Sequence, residues 1–162
     1  DSTLTFSEHV SQVLSKCKSR IFLMKQLKQM GMNSTGLLTF YKANLKPVIS
    51  YACPTWYTFL AEKDKTELER LQKTATKIIF TDIECYEERM SQLHLPTVNS
   101  FLFSTADNHF SKNLRGPELF NCIRLNTSKT SSHKPMNYRT EKCRTEKRKK
   151  SFFQFFMKHF NS

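Results

Sequence analysis

Between residues 63 and 80, Leu68, Leu71, Ala75, Ile78 and Ile79 recur at spacings of three, four, three and one, with Lys65, Arg70, Lys73 and Lys77 between them. That period puts the apolar side chains on one stripe of an α-helix and leaves the cations on the remainder. Glu69 stands four residues before Lys73, a spacing suited to an ion pair along the helix surface. A second such pattern runs over residues 7–30, where Val10, Val13, Leu14, Cys17, Ile21, Met24 and Leu27 share a face and Lys16, Lys18, Arg20, Lys25 and Lys28 lie opposite. Ser7 is its expected N-cap and Gly31 its C-terminal stop.

The rest of the chain reads in the same terms. Ser34 or Thr35 is placed to cap a helix through Leu37, Leu38, Tyr41 and Leu45. Pro47 lacks an amide donor and clashes with the preceding turn, so a kink or a fresh start is expected near Val48. The stretch from Val48 to Leu60, with Tyr51, Cys53, Trp56, Tyr57 and Phe59, is core material. Pro54 leaves two short helices or an extended segment open there. A short helix is expected from Tyr86 to Leu93, ended by Pro96, with Thr97 capping another that turns Val98, Phe101, Leu102 and Phe110 inward. Gly116-Pro117 marks a turn. Only three glycines and five prolines in 162 residues argue against a turn-rich sandwich or barrel. The expected fold is therefore all-α: a small irregular bundle of about five helices over residues 1–125, followed by a mobile basic tail, 126–162. Its core is modest, since 38% of residues are hydrophobic against the usual ~45–50%.

Charge separates the two parts. Residues 126–162 hold ten Lys or Arg against two Glu, whereas residues 1–125 hold sixteen against twelve acids, so two thirds of the net charge of +12 lies in the tail. Residues 126–150 are too poor in apolar side chains to offset ordering entropy. Phe152, Phe153, Phe155, Phe156, Met157 and Phe160 then cluster, and such a block must dock on a surface or remain an exposed adhesive patch.

Reactive signatures are sparse. The five cysteines, Cys17, Cys53, Cys85, Cys122 and Cys143, form no close pair, and the five histidines are as scattered, which argues for reduced thiols and against a zinc site. There is no phosphate-cradling glycine loop, no G-x-S-x-G and no H-E-x-x-H. Glu62/Asp64 and Glu87/Glu88 read as solvated helix faces. No window approaches ~18 consecutive apolar residues, and residues 1–30 lack a secretory pattern. An intracellular protein is expected, nuclear or cytoplasmic, with no membrane partner. The chain starts at Asp1 rather than Met, which suggests a piece of something longer. The positive signal is cationic: Lys16, Lys18 and Arg20 on the first helix, Lys73 and Lys77 on the 63–80 helix, and Lys142, Arg144, Lys147, Arg148, Lys149 and Lys150 in the tail are the candidate phosphate contacts.

The string from Leu37 to Trp56, containing Tyr41, Leu45-Lys46-Pro47-Val48-Ile49 and Tyr51-Ala52-Cys53-Pro54-Thr55-Trp56, resembles the segment just past the polymerase palm of LINE-type, non-LTR retrotransposon reverse transcriptases. Leu68-Glu69-Arg70-Leu71-Gln72-Lys73 through Ile79 resembles a second motif of that family, in the same order. Leu4 to His9 with Lys16, Tyr86 to Arg89 with Leu93, Leu95-Pro96-Thr97 and Lys150 to Phe153 are similar to further short stretches. The resemblance covers most of the chain. It implies the thumb and the helices after it, which pack on the palm of the same polypeptide and hold RNA or an RNA–DNA hybrid. The family's aromatic-x-Asp-Asp turn would lie upstream, and no Asp-Asp pair occurs here. No catalytic residue and no cofactor is therefore expected in this piece, magnesium belonging to the absent palm. The zinc knuckle or endonuclease of some relatives is not matched, and residues 126–150 correspond only through scattered arginines. The alternative is a degenerate or repurposed remnant serving as a helical protein-interaction module through its aromatic C-terminus.

Overall fold

The computed structural model describes residues 6–114 and 143–160, and every regular element among them is helical. In order they are α1 (Ser7–Gln29), α2 (Ser34–Phe40), a π-helical turn (Tyr41–Leu45), α3 (Lys46–Ser50), α4 (Cys53–Trp56) with a 3-10 turn (Tyr57–Phe59), α5 (Glu62–Ile79), α6 (Tyr86–Leu93), α7 (Val98–Leu114), α8 (Glu146–Lys149) and α9 (Phe152–Phe160). No helix among the described residues is long and apolar enough to cross a membrane.

Helix α1 ends as its sequence predicts. Gly31 adopts φ 88°, Gly31 N–H donates to the Lys28 carbonyl and Met32 N–H to the Leu27 carbonyl, which is a Schellman closure. Its start differs from expectation: Ser7 is already helical, and Phe6 occupies the capping position at φ 54° with no side-chain cap. Asn33, not Ser34 or Thr35, caps α2, its Oδ1 accepting from Gly36 N–H at 2.8 Å. Pro47 does not stop the chain. The helix instead widens through residues 41–45, where Lys46 N–H reaches the Tyr41 carbonyl, and Pro47 falls in the first turn of α3, where a missing donor costs little. Beyond it, residues 48–60 resolve into short helices separated by Ala52 at φ 50°, with Trp56 Nε1 donating to the Tyr51 carbonyl at 2.8 Å.

Helix α5 is the centre, packing against α1, α2, α6 and α7. Leu68, Leu71, Ala75 and Ile79 are buried, but so are Gln72 and Thr76, and Ile78 is only half-buried. Gln72 spends its amide fully: its Oε1 accepts from the Tyr41 hydroxyl at 2.8 Å, and its Nε2 donates to the Pro96 carbonyl at 2.9 Å. One turn earlier, Glu69 accepts from the Tyr86 hydroxyl and, at 2.9 Å, from Val98 N–H. The expected Glu69–Lys73 pair is thus replaced, because both carboxylate oxygens are claimed by groups from α6 and the start of α7. Thr97 caps α7 as expected, accepting from Ser100 N–H. Phe101, expected inside, is only partly covered, with Lys46 Nζ 4.2 Å from its ring centre.

The aromatic C-terminal segment docks. Phe156 is fully buried, its ring 5.4 Å from that of Phe110 on α7, and Met157 joins the same core. Of the tail expected to be mobile, 143–150 carries the α8 turn, capped by Thr145, whereas 126–142 and the Gly116-Pro117 turn lie outside the described residues. Cys17 and Cys53 are buried thiols, pushed up to about 11 and about 12 by desolvation.

Gln72→Ala leaves the Tyr41 hydroxyl and the Pro96 carbonyl without partners and should cost about 3 kcal/mol, read from the shift in urea midpoint, whereas Tyr41→Phe should cost about 1 kcal/mol. Burial, followed by the negative charge of Glu69, raises the phenol pKa of Tyr41, and burial with the Glu69 hydrogen bond raises that of Tyr86, both above the ordinary 10.0. The folded state therefore holds these protons more tightly than the unfolded chain. The stability they confer is complete below pH 10 and is lost as pH rises beyond it. Urea midpoints should fall steeply above pH 10, and Tyr86→Phe should flatten that fall.

Candidate nucleic-acid interface

Arg70, Lys73 and Lys77 are three and four residues apart on α5, so they form one stripe, and all three are exposed. Lys18 and Lys25, seven apart on α1, form another, with Lys28 less exposed one turn further on. α1 and α5 form the most extensive helix pair among the described residues, and the two stripes flank a common seam between them. Its wider end is a groove of about 530 Å³ lined by Lys25, Lys28, Arg70, Lys73, Lys77 and Arg89, with Thr74, Ile78 and Thr81 between, and no carboxylate among the described residues lining it. Its narrower end is lined by Lys18, Phe22, Lys25, Glu67 and Arg70 over Ile21 and Leu71. Lys25, Arg70 and Thr74 line both, so the groove is continuous.

The charges are not cancelled locally. Glu67 is the one acid among the described residues lining the seam, 3.6 Å from Arg70 Nη1 across exposed surface, where a pair is worth little. Glu69 is turned to Tyr86 and Val98. Lys73 Nζ lies 5.1 Å from the centre of the Tyr86 ring, whose face attracts the cation without neutralising it. A row of ammonium and guanidinium groups that do not converge on a point fits the phosphates of an extended polyanion rather than the edges of bases.

Of the residues expected to contact phosphate, Lys18, Lys73 and Lys77 are brought together at this seam. Lys16 and Arg20 are not. Each is two residues from Lys18, about 200° round the helix, and so faces away. Arg20 Nη1 donates to the Asn44 carbonyl at 2.5 Å, which ties α1 to the π-helical turn. Arg144, Arg148, Lys149 and Lys150 are exposed on and around α8, with Lys149 Nζ 2.5 Å from a Glu146 oxygen, and none of them lines the seam. Lys142 and the Lys147 side chain lie outside the described residues. Lys25, Lys28 and Arg70, noted in the sequence only as helix-face charges, belong to the groove. The signal was present in their spacing, since Arg70 continues the Lys73–Lys77 stripe by three residues and Lys25 continues Lys18 by seven.

Arg89 is a different case. It is 4% exposed, its Nη1 donates to the Ile83 and Glu84 carbonyls at 2.6 and 2.8 Å, and its Nε points to Thr76 Oγ1 at 3.5 Å. It folds the α5–α6 connection against the end of α5 and contributes field rather than a reachable contact. No group of three or more His, Cys, Asp or Glu side chains able to hold a metal occurs among the described residues.

Compared with protein-family models, curated proteins and solved structures, the chain matches none.

Arg89→Met should lower stability by about 3 kcal/mol, because two carbonyls lose a charged donor. If the fold is held by working at low temperature, the same change should lower the salt slope of polyanion binding by less than the loss of a contacting lysine such as Lys73 does.

Proposed function

We propose that this chain is the non-catalytic C-terminal region of a retrotransposon RNA-directed DNA polymerase, which holds RNA or an RNA–DNA hybrid by its phosphates along the α1–α5 seam. The observation that carries the reading is the alignment of Lys18, Lys25, Lys28, Arg70, Lys73 and Lys77 along one groove with a single acid in its lining. The polymerase part of the reading rests on the resemblance of residues 37–56 and 68–79 to the thumb region of LINE-type reverse transcriptases. Nucleotidyl transfer and its magnesium belong, on this reading, to a palm upstream in the same polypeptide.

The rival reading, a remnant working as a protein-interaction module, drew its support from an exposed aromatic C-terminus. Phe156 is instead packed on Phe110 of α7 and Met157 is buried in the same core, so the observation favouring it is weakened.

Fluorescence anisotropy of the full chain with labelled single-stranded RNA and with an RNA–DNA hybrid, across a salt series, tests the proposal. The logarithm of the association constant should fall linearly with the logarithm of salt, no more steeply than about −4 on a single strand if six cations make the contacts. Lys73→Ala and Lys77→Ala should each lower the slope by roughly 1 or less. Binding indifferent to the seam but abolished by replacing Arg144, Arg148, Lys149 and Lys150 would reduce the function to a basic arm. Absence of binding at low salt would turn the reading to the interaction module.

A further inference from the structure

Phe22 has no place in a phosphate-only interface. It is 60% exposed on α1, whereas most of the other aromatic side chains among the described residues are buried in the core or packed against it, Tyr51 and Phe155 being the other exposed ones. It stands four residues after Lys18 and three before Lys25, so its ring shares a face with both cations. It lines the narrower end of the seam together with Lys18, Lys25 and Arg70, over Ile21 and Leu71. This end continues into the acid-free, wider groove through Lys25, Arg70 and Thr74. An aromatic face beside a row of cations is the combination that takes an unpaired nucleotide: the ring stacks on a base, any base, while the ammonium groups hold the adjoining phosphates. A base inside a duplex offers no free face to such a ring, so a duplex engages the cations alone.

We propose that Phe22 is a stacking platform for an unpaired base and that the narrower end of the α1–α5 seam receives single-stranded nucleic acid, with the wider groove tracking the phosphates that adjoin it. The inference rests on the nucleic-acid reading above and adds the strand state of the ligand to it. Charge complementarity selects the occupant: of the residues around Phe22, three are cations and one, Glu67, is an acid. Leu23, 52% exposed on the next position of α1, provides a built-in comparison. Adjacent residues do not share a helix face, so Leu23 presents similar apolar surface away from the seam.

The test uses the full chain with a labelled single-stranded RNA and a blunt duplex of the same length. Phe22→Ala should weaken single-strand binding about tenfold without changing its salt slope, and should leave duplex binding as it was. Leu23→Ala should change neither, and Lys73→Ala should lower both slopes. A direct readout comes from Phe22→Trp. The natural chain has one tryptophan, Trp56, which is 1% exposed, so the new indole reports alone on the surface. Its fluorescence should be quenched by the single strand and not by the duplex, with single-strand affinity retained. Both residues are solvent-exposed, and unchanged urea midpoints would show that the variants fold. Equal loss of both ligands in Phe22→Ala, or no loss together with an unquenched indole, overturns the platform while leaving phosphate binding intact. Failure of the natural chain to bind either RNA overturns the nucleic-acid reading itself.

Discussion

Two polar side chains on one face of α5 hold the α6–α7 connection in place, and the rest of the bundle is arranged around them. Gln72 accepts from the Tyr41 hydroxyl and donates to the Pro96 carbonyl, while Glu69 takes the Tyr86 hydroxyl and the first amide of α7. A helix start must find acceptors for its free N–H groups, and a carboxylate there also meets the positive end of the helix dipole. Glu69 therefore fixes where α7 begins, Thr97 supports the same turn, and the inward register of Val98, Leu102, Ala106 and Phe110 follows. Because each of these groups is covered, removing one partner strands the other, so the network specifies position more than it adds net stability.

The same economy shapes the surface. With Glu69 committed to the α7 start, Lys73 is left to the face of Tyr86 and, with Arg70 and Lys77, to solvent. The acid that in isolation would have quenched the middle of the cationic stripe is thus withdrawn from it. Arg89, the one buried cation among the described residues, is matched by backbone carbonyls rather than by a carboxylate, so its charge is satisfied locally yet still adds to the field at the wider end of the seam. Fold and electrostatics are coupled through which oxygen binds which donor.

Periodicity made α5, α6 and α7 legible, and Gly31 marked the end of α1, because apolar spacing and a residue tolerant of positive φ act locally. What the spacing could not disclose was tertiary. Gln72 and Arg89 lie off the apolar pattern, and nothing in their neighbourhood shows that carbonyls at 83, 84 and 96 will come to meet them. The π-helical turn at 41–45 is invisible for a similar reason: Pro47 predicts only that the ladder must be interrupted, and Arg20 reaching the Asn44 carbonyl accompanies an interruption that widens the helix rather than breaking it. At the seam, Lys18, Lys73 and Lys77 were identifiable as cationic residues of two amphipathic helices. Lys16 and Arg20 could not be set apart from them until the partner of α1, and therefore the side of α1 that faces it, was known.

The seating of Phe156 against Phe110 joins positions far apart in the sequence. Among the described residues, α9 packs on the bundle chiefly through α7, a far smaller contact than that of α1 with α5, so it is the segment expected to open first. The C-terminal helix thus acts as a removable stopper: its departure would bare the Phe103 and Phe110 rings while leaving the Glu69 and Gln72 network, and the cationic seam beyond it, assembled. The molecule is in this sense built in two tiers of permanence, with its charged face in the more durable one.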